Sequence, residues 1–340
     1  MNISRVFGIL CCVSAMIAGT ANGEETRTQY PLTIENCGQS VTFESAPQNA
    51  VALGQNSAEI LLLLGLEERL AATAFWPNEI LPELEEAHAK ATLLTVEFPT
   101  LEAVLGQSPD FVAAQLPTLL GPDSRVAKRD DFENLGIPTY LSPSVCLERQ
   151  AGDDAYGSRA ELWNMDLLFQ EIDELSQIFD VADRGQALIA EFRAREAALR
   201  ERFVSDPDLS FIFWFSSPSP ADDAYLGGGN SASSYIADLL GGHNAITVKT
   251  EWPTVSWESI IAADPKVLVV AQVDRNRWEL DNAENKIAWL ENDPTVSQIR
   301  AVREGRLLVM PGASMNPTIR TIYGAEALAW QLEQIGAHTE

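Results

Sequence analysis

The sequence predicts an α/β protein of two lobes, and three observations carry the prediction. Short β-rich apolar runs alternate with helical patterns from Gln48 onward, which is the signature of mainly parallel strands with crossover helices. A proline-free stretch over 161–203 interrupts that alternation once. A short motif then occurs twice at matched spacing, once on each side of the interruption.

In the first half, residues 49–53 read as a strand and 56–64 as a helix that Gly65 stops. A strand at 70–74 leads into the loop Phe75-Trp76-Pro77-Asn78; a helix over 101–105 and strands at 111–115 and 136–140 complete the lobe. Across 161–203, apolar residues recur at Leu167, Leu168, Ile172, Leu175, Ile178 and Phe179, near a 3.6-residue period. This predicts a long amphipathic helix, an interruption at Asp183-Arg184-Gly185, and a second helix over 187–203, together a stiff connector. The second half repeats the alternation: strands at 209–215, 267–271 and 306–310, with helices over 231–240, 283–290 and 318–335. The expected divisions are 1–23, 24–160, 161–204 and 205–340.

The repeat is Thr100-Leu101-Glu102-Ala103-Val104-Leu105 followed by Pro109-Asp110-Phe111-Val112, and Ser256-Trp257-Glu258-Ser259-Ile260-Ile261 followed by Pro265-Lys266-Val267-Leu268. Each copy reads as a hydroxyl N-cap, a glutamate in the first turn, a helix, a proline turn and a buried strand. Glu102 and Glu258 therefore belong at related places on a pseudo-symmetric molecule.

Composition limits the possible functions. A chain of 340 residues, 46% hydrophobic and 21% charged, can bury one or two full cores, so a disordered or fibrous protein is out. Lys and Arg number 23 against 49 Asp and Glu, a formal net charge of -26. Such a surface repels phosphate backbones and anionic headgroups over a Debye length of ~8 Å, which argues against a nucleic-acid partner. Arg5, the apolar run over 6–18 and the small residues Ala21-Asn22-Gly23 read as an export signal with cleavage expected near Gly23, so the mature protein is expected in the periplasm; a lipid anchor at Cys11 or Cys12 is the alternative, though the residues before each cysteine lack the Leu-small-small pattern. Two cysteines then remain, Cys37 and Cys146, which in an oxidising compartment read as one disulfide; two separately buried thiols are the alternative.

Chemistry is conspicuous by what is missing. The three histidines, His88, His243 and His338, are too scattered for an imidazole metal site, and no nucleophile elbow or phosphate loop is present. Gly227-Gly228-Gly229-Asn230 lacks the lysine of a phosphate loop and reads as a flexible turn before the helix at Ser231. Neither a catalytic set nor a resident metal or cofactor is expected. An alternative exported enzyme would use a carboxylate such as Asp222 or Asp223 beside the glycine turn, but no base is paired with a nucleophile at a recognisable spacing. Glu59, three residues after Asn56, reads as part of a capping box. What the predicted loop tips do carry is aromatic and polar: Trp76, Gln115, Trp214, Tyr225 and Trp252. Ligands of open α/β lobes bind outside the carboxyl ends of the strands, and two such lobes face each other across a cleft. Arg275, Arg277 and Arg320 fall at strand ends or at the start of the last helix, where guanidinium forks could hold carboxylate or catecholate oxygens; pairing with Glu279, Asp281 or Glu326 is the competing role.

With Pro99-Thr100-Leu101-Glu102 and Pro109-Asp110-Phe111-Val112 in the first half, and Gly241-Gly242-His243-Asn244 followed by Trp252-Pro253-Thr254-Val255-Ser256-Trp257-Glu258 in the second, the chain resembles the solute-binding proteins of siderophore, haem and cobalamin ABC importers over roughly residues 45–335. The resemblance implies two Rossmann-like lobes joined by a long rigid helix, a monomer that carries a metal chelate without chemistry, and delivery to a membrane permease. It implies that Glu102 and Glu258 pair with permease arginines. A ferric siderophore is the first expectation for the cargo. Cobalamin is the alternative, because Trp252 precedes the docking glutamate as does the corrin-touching aromatic of cobalamin-binding members. The several Tyr and His that would ligate haem iron are not seen.

Overall fold

Nearly continuous apolar strands need helices on both faces, and this requirement shapes each lobe. The computed structural model describes residues 27–336 apart from 77, 147–158 and 276, so the expected export signal and His338 lie outside the described residues. In the first lobe β1 (Leu32–Asn36) and β2 (Gln39–Phe43) form a hairpin, followed by β3 (Ala50–Leu53), α1 (Gln55–Leu63), β4 (Leu70–Ala74), α2 (Glu85–His88), β5 (Thr92–Thr95), α3 (Leu101–Leu105), β6 (Phe111–Ala114), α4 (Pro117–Leu120), α5 (Arg129–Glu133) and β7 (Thr139–Leu141). Then come α6 (Asp166–Ile178) and α7 (Ala182–Arg202). The second lobe holds β8 (Ser210–Ser216), β9 (Ala224–Leu226), α8 (Ala232–Leu239), β10 (His243–Asn244), β11 (Thr254–Val255), α9 (Trp257–Ala263), β12 (Val267–Gln272), α10 (Ala283–Asn292), α11 (Arg300–Arg303), β13 (Leu307–Pro311) and α12 (Arg320–Gln334).

The first sheet runs β5-β4-β3-β6-β7, all parallel. The second runs β11-β9-β8-β12-β13, with β10 also paired to β8; β10, β8, β12 and β13 are parallel, and β9 alone is reversed, pairing antiparallel with both β8 and β11. The repeat is visible in three dimensions. Thr100 and Ser256 each cap their helix by accepting a backbone N–H three residues on. Each copy then crosses a left-handed non-glycine residue just before its proline, Ser108 at φ 53° and Asp264 at φ 41°. Each following strand, β6 or β12, lies beside the first strand of its sheet.

Period-two alternation splits each sheet between two apolar layers. Phe211, Phe213, Val267 and Val269 face a layer shared with α6, α7 and the first lobe, whereas Ile212, Trp214, Leu268 and Val270 face an outer layer with Trp257 and Trp289. Val51, Leu53, Val112, Ala114 and Phe132 form the outer layer of the first lobe. The shared layer runs from Phe43 and Phe111 through Ile172, Phe179 and Phe192 to Ile322 and Leu328.

The connector differs from expectation in one place. Its break falls at Asp180, where φ is 57°, and Asp183-Arg184-Gly185 lie inside the first turn of α7. Gly185 is a contact point: a Cβ there would sit 2.2 Å from the Ser176 hydroxyl, so a side chain would push α7 off α6. With 21 residues, α7 spans about 31 Å. Near its start Arg184 donates to the Leu64 carbonyl at the end of α1, and at its far end Arg202 pairs with Glu333 of α12. The turn at Gly227-Gly228-Gly229 also departs from expectation, being packed rather than loose. The Gly228 N–H donates to the Glu251 carbonyl at 3.0 Å, and a Cβ on Gly228 would meet the Thr250 oxygen at 1.8 Å.

Candidate functional site

Open α/β sheets leave their functional surface at the carboxyl ends of the strands, and the two lobes use that surface differently. In the second lobe, β8 ends at Ser216, the chain returns through β9, and β12 ends at Gln272 before a loop to α10. Between these segments lies a hollow of about 490 Å³ lined by Pro218, Ala221, Asp222, Asp223, Tyr225, Thr254 and Trp278. Tyr225 stacks on Trp252 at 6.2 Å and 5°, and Trp252 meets the Phe215 ring edge-on at 4.9 Å. The aromatic wall is thus backed by a second aromatic layer.

Two buried charges hold this edge in shape. The Asp281 carboxylate accepts from the Ser216 hydroxyl at 2.6 Å, Arg275 Nε at 3.2 Å, and the backbone N–H groups of Arg277 at 2.8 Å and Trp278 at 3.0 Å. Burial alone pushes its carboxyl up, but Arg275, Ser216 and the Trp278 amide outweigh that and hold it below the usual range. Lys286 donates to the carbonyls of Phe215 and Ala271, at the ends of β8 and β12, and lies 5.5 Å from the Trp214 ring. Burial drives its ammonium down to about 7.

The first-lobe edge is spent on joining the lobes. Gln115 Oε1 accepts from the Asn56 N–H at 2.8 Å, and Asn56 Oδ1 accepts from the Ile319 N–H at 2.9 Å. The Asn56 amide also reaches the fully buried Glu171 at 3.4 Å, which accepts a hydrogen bond from the Ser142 hydroxyl. Desolvation drives the Glu171 carboxyl up to about 8; the Ser142 bond opposes that and nearby Glu174 adds to it. Glu59 has no exposed surface and holds Arg320 of α12 through Nε at 2.9 and 3.1 Å and through Nη2. Arg320 also donates to the Glu79 carbonyl at 2.6 Å. Elsewhere across the seam Arg159 pairs with buried Glu251 at 2.6 Å and donates to the Ser144 carbonyl.

Of the residues expected at a ligand, Tyr225 lines the hollow and Trp252 lies directly behind it, 5% exposed. Arg277 is exposed in the loop carrying Trp278. Arg275 is committed to Asp281 and lies between the rings of Phe215 (5.5 Å) and Trp278 (4.8 Å). The other four lie elsewhere. Trp214 has no exposed surface, because strand alternation turns it into the outer core, where Trp257 and Trp289 pack edge-on to it. Trp76 is buried against His88 at 4.2 Å. Gln115 fastens the start of α1, and Arg320 is consumed by Glu59. Glu59 is structural, but through that ion pair; the residue before α1 is Gly54 and no side chain caps the helix.

Sequence reasoning did not single out Trp278, Pro218 or Thr254, and it noted Asp222 and Asp223 only as possible enzyme carboxylates. Trp278 had a usable signal: a tryptophan shortly past a strand end, preceded by two arginines. Glu102 and Glu258 are both exposed in the first turns of α3 and α9. Cys37 and Cys146 are bridged, with Cα atoms 5.1 Å apart. Among the described residues no cluster of His, Cys, Asp and Glu could hold a metal ion, and no helix is long and apolar enough to cross a membrane.

Residues 51–313 match the family model described as periplasmic binding protein. The chain is 26% identical over 234 residues to a vitamin B12-binding protein of Vibrio campbellii (strain ATCC BAA-1116), a match that spans 68% of this chain and 74% of that protein. Its fold is similar to a periplasmic binding protein from Veillonella parvula dsm 2008, with a TM-score of 0.74, 23% identity and coverage of 89% of this chain and 97% of that one. It is also similar to an ABC-type Fe3+-hydroxamate transport system from Saccharomonospora viridis DSM 43017, with a TM-score of 0.69, 22% identity and coverage of 91% and 99%.

Proposed function

The chain belongs to the family of periplasmic binding proteins, and from that premise we propose that it captures a metal chelate at the carboxyl ends of its second-lobe strands and surrenders it unchanged to a permease. Its role is that of the substrate-binding component of an ABC importer. The observation that carries the choice of cargo is the aromatic hollow, whose lining includes the rings of Tyr225 and Trp278, a composition suited to a bulky ligand. The names of the relatives point the same way, one to vitamin B12 and one to an iron hydroxamate. A corrinoid and a ferric siderophore both fit a wall of this kind.

Intrinsic tryptophan fluorescence, titrated with cobalamin and with ferric hydroxamate, catecholate and carboxylate chelates, tests the proposal. Quenching that saturates with at least one probe is the expected result, and a flat response to all of them would remove chelates from consideration.

Delivery rests on Glu102 and Glu258. Each is an exposed acid in a first helical turn, where the helix dipole tolerates it, and the repeat gives the two equivalent positions in their lobes. Changing both to arginine is expected to abolish uptake by cells while ligand affinity stays at the wild-type value. Loss of affinity instead would assign both residues to the binding site.

A further inference from the structure

We infer, resting on the reading that the hollow receives part of the cargo, that this site admits neutral and cationic chelates and rejects polyanionic ones, with Asp222 and Asp223 as the discriminating residues. The lining consists of two carboxylates, two aromatic rings and three small or polar side chains, and none of it is basic. The loop bearing the carboxylates is fastened. Ser219 Oγ donates to Asp222 Oδ2 at 2.7 Å, and Trp257 Nε1 donates to the Asp222 carbonyl at 3.3 Å. Asp222 is therefore held in place, and Asp223 stands exposed beside it in the same lining.

The cations that sequence reasoning offered to an anionic chelate are mostly committed elsewhere. Arg275 is tied to Asp281 through Nε and Nη2, and Arg320 to Glu59. Lys286 is buried beneath the edge and satisfied by two backbone carbonyls. Arg277 is exposed but does not line the hollow.

A chelate whose outer surface carries catecholate or carboxylate charge would meet two like charges at close range with no counter-ion in the lining, well inside a Debye length of ~8 Å. A chelate fringed with amides or ammonium groups would instead donate hydrogen bonds to those carboxylates and lay apolar or cationic surface on the rings. The net charge of -26 adds a long-range field of the same sign.

The test is isothermal titration of the full mature chain with cyanocobalamin (neutral), aquacobalamin and ferrioxamine B (cationic), and ferric citrate and a ferric tris-catecholate (anionic), at low and high salt. Neutral or cationic probes are expected to bind, and the anionic ones about tenfold or more weaker at low salt, with the gap narrowing as salt rises. The double variant Asp222→Asn, Asp223→Asn is expected to close most of that gap, and Tyr225→Ala to weaken every bound probe. Equal or tighter binding of the anions overturns the inference while leaving the chelate function standing. So does a gap that persists in a double variant whose thermal unfolding matches the wild type, and so does a Tyr225→Ala variant of unchanged affinity. Silence from all five probes would overturn the chelate function itself.

Discussion

The carboxyl edges of the two sheets are built from similar parts and put to opposite uses. At the first, Gln115, Asn56, Glu59 and Glu171 turn their polar atoms inward, to each other and to Ile319 and Arg320 across the seam. At the second, Asp281 and Lys286 turn inward to fix the backbone, which leaves Tyr225, Trp278, Asp222 and Asp223 facing the hollow. A polar side chain at a strand end is thus no guide to ligand contact by itself. What decides is whether its partners lie within the protein.

The sharpest way to break this contrast is Arg320→Ala. It strands the buried Glu59 carboxylate without its partner, and a loss of about 3–5 kcal/mol is expected in urea unfolding, with little change in the chelate affinity of whatever remains folded. Replacing both partners by apolar residues should recover much of the loss, since the penalty comes from an orphaned charge.

A subtler probe of the same edge is pH. Glu171 holds its proton up to about 8 in the folded state, whereas an unfolded glutamate releases it near ~4.3. Between these values the folded chain binds more protons than the unfolded one, so this group's contribution to stability falls as pH rises through that window. Unfolding midpoints at about pH 5 and about pH 8 should therefore differ more in the wild type than in Glu171→Gln. An identical slope in both would move the titration to another group.

At the opposite edge, Tyr225→Ala should lower chelate affinity about tenfold while costing only about 1 kcal/mol of stability, the worth of its stacking on Trp252. The smallest effect is expected between ligand-free and ligand-bound scattering curves. Two buried ion pairs across the seam and the shared apolar layer leave the lobes little room to close, and the curves should nearly superimpose.

What could be read in the chain follows from the same distinction. Strands β3, β4, β6, β8 and β12 are buried apolar runs, and local pattern alone located them. The repeat was legible because its cap, its first-turn acid and its proline are local too. The β1–β2 hairpin was not assigned although it alternates, Leu32-Thr33-Ile34-Glu35 against Ser40-Val41-Thr42-Phe43, because each strand is only five residues long and much of it stays exposed; its two-residue turn is Cys37-Gly38, with φ 51° and 78°. The short β9, β10 and β11 exist only through pairing with β8 and with each other. Arg320 could not be assigned from sequence, since its partner Glu59 lies 261 residues away. Gly185 and the Gly228 turn misled for one reason: glycine signals either freedom or close approach, and only the neighbouring backbone tells which.

The apolar layer that passes from Phe111 through Phe179 and Phe192 to Leu328 means that neither half owns a complete interior. Heat should therefore melt the chain in one cooperative step, with calorimetric and van't Hoff enthalpies in agreement, despite its two-lobed outline. A gene cut at the connector would yield two fragments that each expose half of a common wall, so they should fold only when expressed together.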